Sequence, residues 1–290
     1  MKRQITAVLT ACMVLLCGCS GGTGMENTAE TLPPMTEVPE PVLVYYVNDH
    51  GTTDTGVLTQ FMGKLSECGY TVQEDALASL PMNADAVVIS APQEDMTSEE
   101  LQKLDLYMDQ GGHVLLLMPA NESETRFKYF ERFLEEYCVL MDYDRIEETS
   151  KARMSGEDPT HILIDQIHAP LGMSIQPETA ERALYLRNVR SFHFAVMDNF
   201  DSIQQDLMLR TAGTATGIPC GGTADDPETF EGETLTTMLY SRNDQRQNSF
   251  VVCVGASDFL EDAQYDLETS KSAQDYVFAA FEWMAHPVFS

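Results

Sequence analysis

Basic side chains are scarce in this chain of 290 residues: 17 Lys and Arg face 46 Asp and Glu, a formal charge of −29. A surface of that sign repels phosphate backbones, so nucleic acid is not expected as a partner, and it offers no basic patch to anionic lipid. Long apolar runs are missing as well. The longest, Ile5 to Cys17, stops at about a dozen residues, and no other run reaches the roughly 18 that a membrane-spanning helix needs. The seven cysteines show no Cys-x-x-Cys spacing and no paired-histidine spacing, which argues against a structural zinc site. What the chain does have is 43% apolar residues with only 22% charged, enough to bury a real core.

The first residues carry a secretion pattern. Lys2 and Arg3 precede the apolar stretch, which ends in Leu16-Cys17-Gly18-Cys19 followed by Ser20-Gly21-Gly22. The stretch is too short for a span and has the layout of a signal peptide. It resembles the bacterial lipobox, which implies cleavage before Cys19 and acylation of that thiol; an ordinary signal peptide or an uncleaved anchor is the alternative. The expected organisation is a lipoprotein signal at 1–18, a lipidated Cys19 with a flexible Pro, Glu and Thr-rich tether to 41, and one extracytoplasmic domain at 42–290. The expected location is outside the cytoplasm, lipid-anchored to a bacterial membrane. Cys68, Cys138, Cys220 and Cys253 then remain as thiols. A disulfide is permitted there but not required, and Cys253, inside Phe250–Val254, reads as a core thiol.

From Val42 the pattern becomes regular. Val42–Val47, Tyr70–Val72, Ala84–Ser90 and His113–Met118 read as strands. Between them, helices carry Val57, Leu58, Phe61 and Leu65, and then Leu101, Leu104, Tyr107 and Met108. Asp54 or Thr55 can cap the first helix. Thr97 with Glu100 forms a capping box at the second, and Gly111-Gly112 closes it. A third helix is expected over Thr125–Tyr137. This alternation predicts an α/β fold: a three-layer, mostly parallel sheet with helices on both faces. The rhythm is lost between 142 and 240. Leu235–Tyr240 and Phe250–Gly255 then read as strands, and Lys271–His286 as a closing helix. The acidic loop from Asp225 to Glu233 lacks the ligand rhythm of a calcium loop.

Several segments resemble the auxiliary domain of gliding-type ABC transport systems. They are Ala84–Ile89 with Ala91-Pro92, Thr97–Glu100 with Leu104 and Tyr107, Gly111–Leu117, Asp49-His50-Gly51, Arg190-Ser191, and Val252–Phe259. Thr52 stands where that family often has Glu, and Cys138 where a Gly is common. The resemblance implies a fold related to class I glutamine-amidotransferase-like domains. It also implies a non-catalytic accessory role, binding or scaffolding, beside ABC-type membrane subunits.

A nucleophilic hydrolase is not expected. No Gly-x-Ser-x-Gly occurs, and Pro119-Ala120-Asn121 after a strand offers no Cys, Ser or Thr for a nucleophile elbow. No cofactor is expected. If the sheet is parallel, its carboxyl ends gather Asp49, His50, Gly51, Pro92, Asn121, Ser257 and Asp258 into one candidate crevice for a ligand or partner. Asp49, His50 and Asp258 together suit metal binding or acid–base hydrolysis; a free solute-binding lipoprotein is a further alternative. The plainer reading is that Asp49 and Asp258 cap helices while His50 packs in a turn.

Overall fold

Leu43–Val47 hides both of its faces, and in a computed structural model of the chain it becomes a central strand. The structure describes residues 42–121, 126–176, 181–195, 202–220, 230–231 and 234–287. The lipobox, the tether and most of the acidic loop from 225 to 233 lie outside them. No helix among the described residues is long and apolar enough to cross a membrane.

The first half runs β1 (Leu43–Val47), α1 (Thr59–Glu67), β2 (Thr71–Asp75), β3 (Ala86–Ser90), α2 (Ser98–Met108), β4 (His113–Leu117) and α3 (Lys128–Glu135). Short strands follow: β5 (Val139–Met141), β6 (Asp144–Glu148), β7 (Met154–Ser155), β8 (Asp158–Leu163), β9 (Gln166–Ile167), β10 (Tyr185–Arg187), β11 (Phe192–Phe194), β12 (Ile203–Arg210), β13 (Ala215–Pro219) and β14 (Phe230–Glu231). The chain closes with β15 (Thr236–Asn243), β16 (Ser249–Val254), α4 (Asp262–Tyr265) and α5 (Glu268–Ala285).

In the main sheet β2, β1, β3, β4 and β16 are neighbours in that order, and all are parallel. Alternating side chains of β1 enter two cores. Val44 and Tyr46 pack with Phe61 and Leu65 of α1 and with Tyr276 and Phe281 of α5. Tyr45 and Val47 pack with Leu101 and Leu104 of α2 and Phe130 and Phe133 of α3. The capping box is present: Glu100 N donates to Thr97 Oγ1, and Thr97 N donates to Glu100 Oε2 at 2.7 Å. Asp54 caps only a short 3-10 turn at Thr55–Val57. Helix α1 receives its cap from Asp262, whose carboxylate accepts bonds from Thr59 N, Thr59 Oγ1 and Gln60 N.

The expectation of a mostly parallel sheet is corrected. The same sheet continues from β16 through antiparallel β15, β11 and β5, with β12 and β9 added antiparallel. Two further three-stranded sheets, β10-β8-β7 and β14-β13-β6, are antiparallel throughout. The physical reason is the connections. Parallel neighbours need crossovers of a dozen or more residues, usually helical, whereas β7 and β8, and β15 and β16, pair antiparallel across short links at 156–157 and 244–248. The molecule is therefore a mixed, β-rich fold. The third helix is also shorter than expected, and its amides at Tyr129 and Phe130 are capped from a distance by the Asp95 carboxylate.

Candidate functional site

Asp49, Pro92, Asn121 and Asp258 follow β1, β3, β4 and β16, so they lie along the carboxyl edge of the parallel half. The edge is not one continuous crevice. At its β4–β16 end it is covered by the segment before β11: Arg190 N donates to Gly255 O at 2.9 Å, and Ala120 N donates to Asn188 O at 2.9 Å. Asp258 lies there beside Arg187 and Glu261, and burial pushes its carboxyl up to about 6 even though Arg187 pulls it down. Ser257 is buried at the start of the same 3-10 turn and makes no side-chain cap. The suggested grouping of Asp49 and His50 with Asp258 is therefore corrected.

At the β1–β3 end a different set converges. His50 Nε2 is 3.4 Å from Asp49 Oδ2 and 3.4 Å from Glu100 Oε2. Asp49 also accepts a bond from Leu77 N, the first residue of a 3-10 turn 28 residues further along the chain. His50 sits in a left-handed turn at φ 59°. Its carbonyl accepts bonds from Gln93 N at 2.7 Å and Glu94 N at 3.0 Å. The next residue must be Gly51: φ is +67°, and a Cβ there would fall 2.9 Å from Gln93 Cβ. Gln93, beside Pro92, accepts a bond from Asn121 Nδ2. The turn after β1 is thus tied to the turns after β3 and β4.

Glu100 is the residue the sequence reading did not place in the site. It shows there only as the third position of a capping box. Because β3 pairs with β1, the start of α2 lies over the end of β1, and the box glutamate reaches His50. Burial works to raise the Glu100 carboxyl, but the amide and hydroxyl of Thr97 and then His50 outweigh it and hold it below the ordinary value. Asp49, His50 and Glu100 are the one group of three such donors found among the described residues, with their ligand atoms all within 4.8 Å of each other.

A second polar region was not assembled from the sequence, although Ser191 belongs to the Arg190-Ser191 segment singled out there. Asp142, Ser191, His193 and Arg210 line a cavity of about 390 Å³ beside β11. His193 Nδ1 is 3.1 Å from Asp142 Oδ2, and Ser191 bridges Asp142 and the buried Asp144.

Comparison with known proteins places this architecture. A family model for the IFT52 GIFT domain matches residues 58–154. Among solved structures, the mmIFT52 N-terminal domain superposes with a TM-score of 0.60 at 15% identity, covering 86% of this chain and 99% of that one. A ThuA-like protein from Bacteroides uniformis aligns with a TM-score of 0.46 at 13% identity, covering 87% of this chain and 95% of the other. No curated protein matches. The fold is thus that of the IFT52 N-terminal domain. These matches overturn the resemblance to gliding-type ABC auxiliary domains, and with it the glutamine-amidotransferase-like fold and the ABC-type membrane partners. The accessory ABC role falls for the same reason, and the comparisons lend no support to its hydrolase and solute-binding alternatives.

Proposed function

We propose that this chain is a lipid-anchored scaffold: a GIFT-like domain held outside the cytoplasm through Cys19, serving to bind other proteins rather than to turn over a substrate. The observation that carries the reading is the likeness to the IFT52 N-terminal domain over 99% of that domain. IFT52 is a protein of the intraflagellar transport complex, and a scaffolding role is what its GIFT domain suggests. The absence of a nucleophile elbow in the sequence supports the non-catalytic part. The lipobox and the Pro-rich tether support the location.

Two measurements test it. Fatty-acid labelling in a bacterial host should mark the wild-type chain and not Cys19→Ala, and only the wild type should sediment with membranes after signal cleavage. Full-length protein cross-linked in those membranes should yield a defined partner, and tagging that partner should recover this chain in return. A chain recovered only as an isolated polypeptide, or wild type found wholly in the cytosol, would overturn the proposal.

A further inference from the structure

The turn after β1 occupies a particular place in the sheet. From β1 the chain crosses through α1 to β2 on one side, while from β3 it crosses through α2 to β4 on the other. Helices α1 and α2 accordingly lie in the two opposite cores. The carboxyl ends of β1 and β3 therefore flank the point where the winding reverses, which is where open sheets leave room for a ligand. Asp49, His50 and Glu100 sit at that point.

The His50 side chain is only 10% exposed, and its Nε2 has no hydrogen-bond partner. A buried imidazole nitrogen without a partner is costly. This one faces two carboxylate oxygens, each at 3.4 Å. A charge-assisted hydrogen bond would draw either oxygen in to about 2.8 Å. Donors that share a metal ion behave differently: bonds of about 2.0–2.2 Å at tetrahedral angles leave neighbouring donors about 3.4 Å apart. The surrounding bonds fix the donors in that arrangement. Leu77 N holds Asp49, the Thr97 amide and hydroxyl hold Glu100 at 2.7 and 2.8 Å, and Gln93 N and Glu94 N hold the His50 backbone. Such outer bonds orient ligands in metal sites generally.

We propose that Asp49, His50 and Glu100 form a binding site for a divalent transition-metal cation of the zinc class. One imidazole and two carboxylates suit zinc and its neighbours better than magnesium or calcium, which take all-oxygen sets. With three protein ligands the site leaves a position for water or for a donor from a partner. The bound ion ties the β1 turn to the start of α2; no hydrolytic step is part of the inference.

The test uses the full-length chain in detergent, stripped with a chelator and titrated calorimetrically with zinc chloride, with magnesium and calcium chlorides alongside. One zinc per chain is expected, with far weaker binding of the other two. His50→Asn keeps a residue that tolerates the left-handed backbone, and Glu100→Gln keeps a residue able to complete the capping box. Each should weaken zinc binding by about tenfold or more, with the metal-free melting temperature little changed. Diethylpyrocarbonate labelling of wild type, read by peptide mass, gives an answer that needs no variant: zinc should protect His50. Absence of saturable zinc binding would overturn the proposal. So would affinity unchanged in both variants, or His50 labelling indifferent to zinc.

Discussion

Ser191 and Asp144 are bound to each other twice: the Ser191 amide donates to Asp144 Oδ1 at 2.8 Å, and the two side chains meet at 2.8 Å. The Ser191 hydroxyl also lies 2.9 Å from Asp142 Oδ2. One hydroxyl proton cannot serve two carboxylates, so the second contact needs a proton on a carboxyl group. Asp144 is its natural holder. It is 2% exposed, and burial pushes its carboxyl up to about 7, reinforced by the Asp142 charge. A protonated Asp144 donates to Ser191 Oγ, which donates in turn to Asp142.

That proton makes stability depend on pH with a definite sign. Asp144 ionises near 3.8 when exposed and near 7 in the fold. The folded chain therefore holds a proton that the unfolded chain has lost, and the contribution is complete below the lower value and lost as pH rises through the upper one. Asp144→Asn keeps a donor and an acceptor in place without the titration. Urea unfolding of both proteins between pH 4 and 7 should show the wild type losing stability relative to the variant by roughly 1.4 kcal/mol per pH unit. A constant difference across that range would rule out the protonated carboxyl.

Two glycines should respond oppositely to alanine. At Gly255 an added Cβ would lie 2.0 Å from the Arg190 carbonyl oxygen, inside the backbone contact that covers the β16 end of the sheet. Gly255→Ala is expected to destabilise by at least about 3 kcal/mol or to prevent folding. At Gly63, within α1, nothing lies within 4 Å of an added Cβ. Gly63→Ala should stabilise by about 0.5–1 kcal/mol through helix propensity. Thermal or urea unfolding of the two variants reads both signs in one experiment.

Thiol accessibility should separate the four cysteines of the folded domain. Cys68 is exposed, Cys138 and Cys253 are buried, and none is in a disulfide. Burial pushes the Cys253 thiol far up, and lesser burial raises Cys68 too, so neither is activated. An aromatic disulfide reagent at mildly alkaline pH is expected to modify Cys68 first, and Cys253 only after denaturation. Rapid reaction of Cys253 in the native protein would mean that β16 is not the interior strand described.

Local pattern was sufficient wherever one segment's chemistry fixes its own conformation. The apolar run of β1, the Thr97–Glu100 box and the Asn48–Gly51 break each lie within a few residues, and each is present in the fold. Elsewhere the deciding partner was far along the chain. Helix α1 is capped by Asp262, 203 residues from Thr59, and α3 by Asp95, 34 residues from Tyr129. No window of sequence contains both members of such a pair. The antiparallel half was hidden for a related reason: strands of two or three residues, such as β7, β9 and β11, carry too few alternations to show a period.

The site divides in the same way. Sequence alone determined that Asp49 and His50 follow an apolar strand, in the Asn48–Gly51 break; that position 51 has to be glycine came from the backbone geometry. Sequence did not determine which carboxylate would join them. Asp258 and Glu100 both stand near helix or turn starts after buried strands, and nothing in their own segments separates them. Only the strand order decided. β3 lies beside β1 and carries the start of α2 over His50. β16 lies beyond β4, where the Arg190 backbone closes the edge above it. Sheet order is set by which apolar faces can be buried together across the whole chain, a cooperative choice that no local stretch contains.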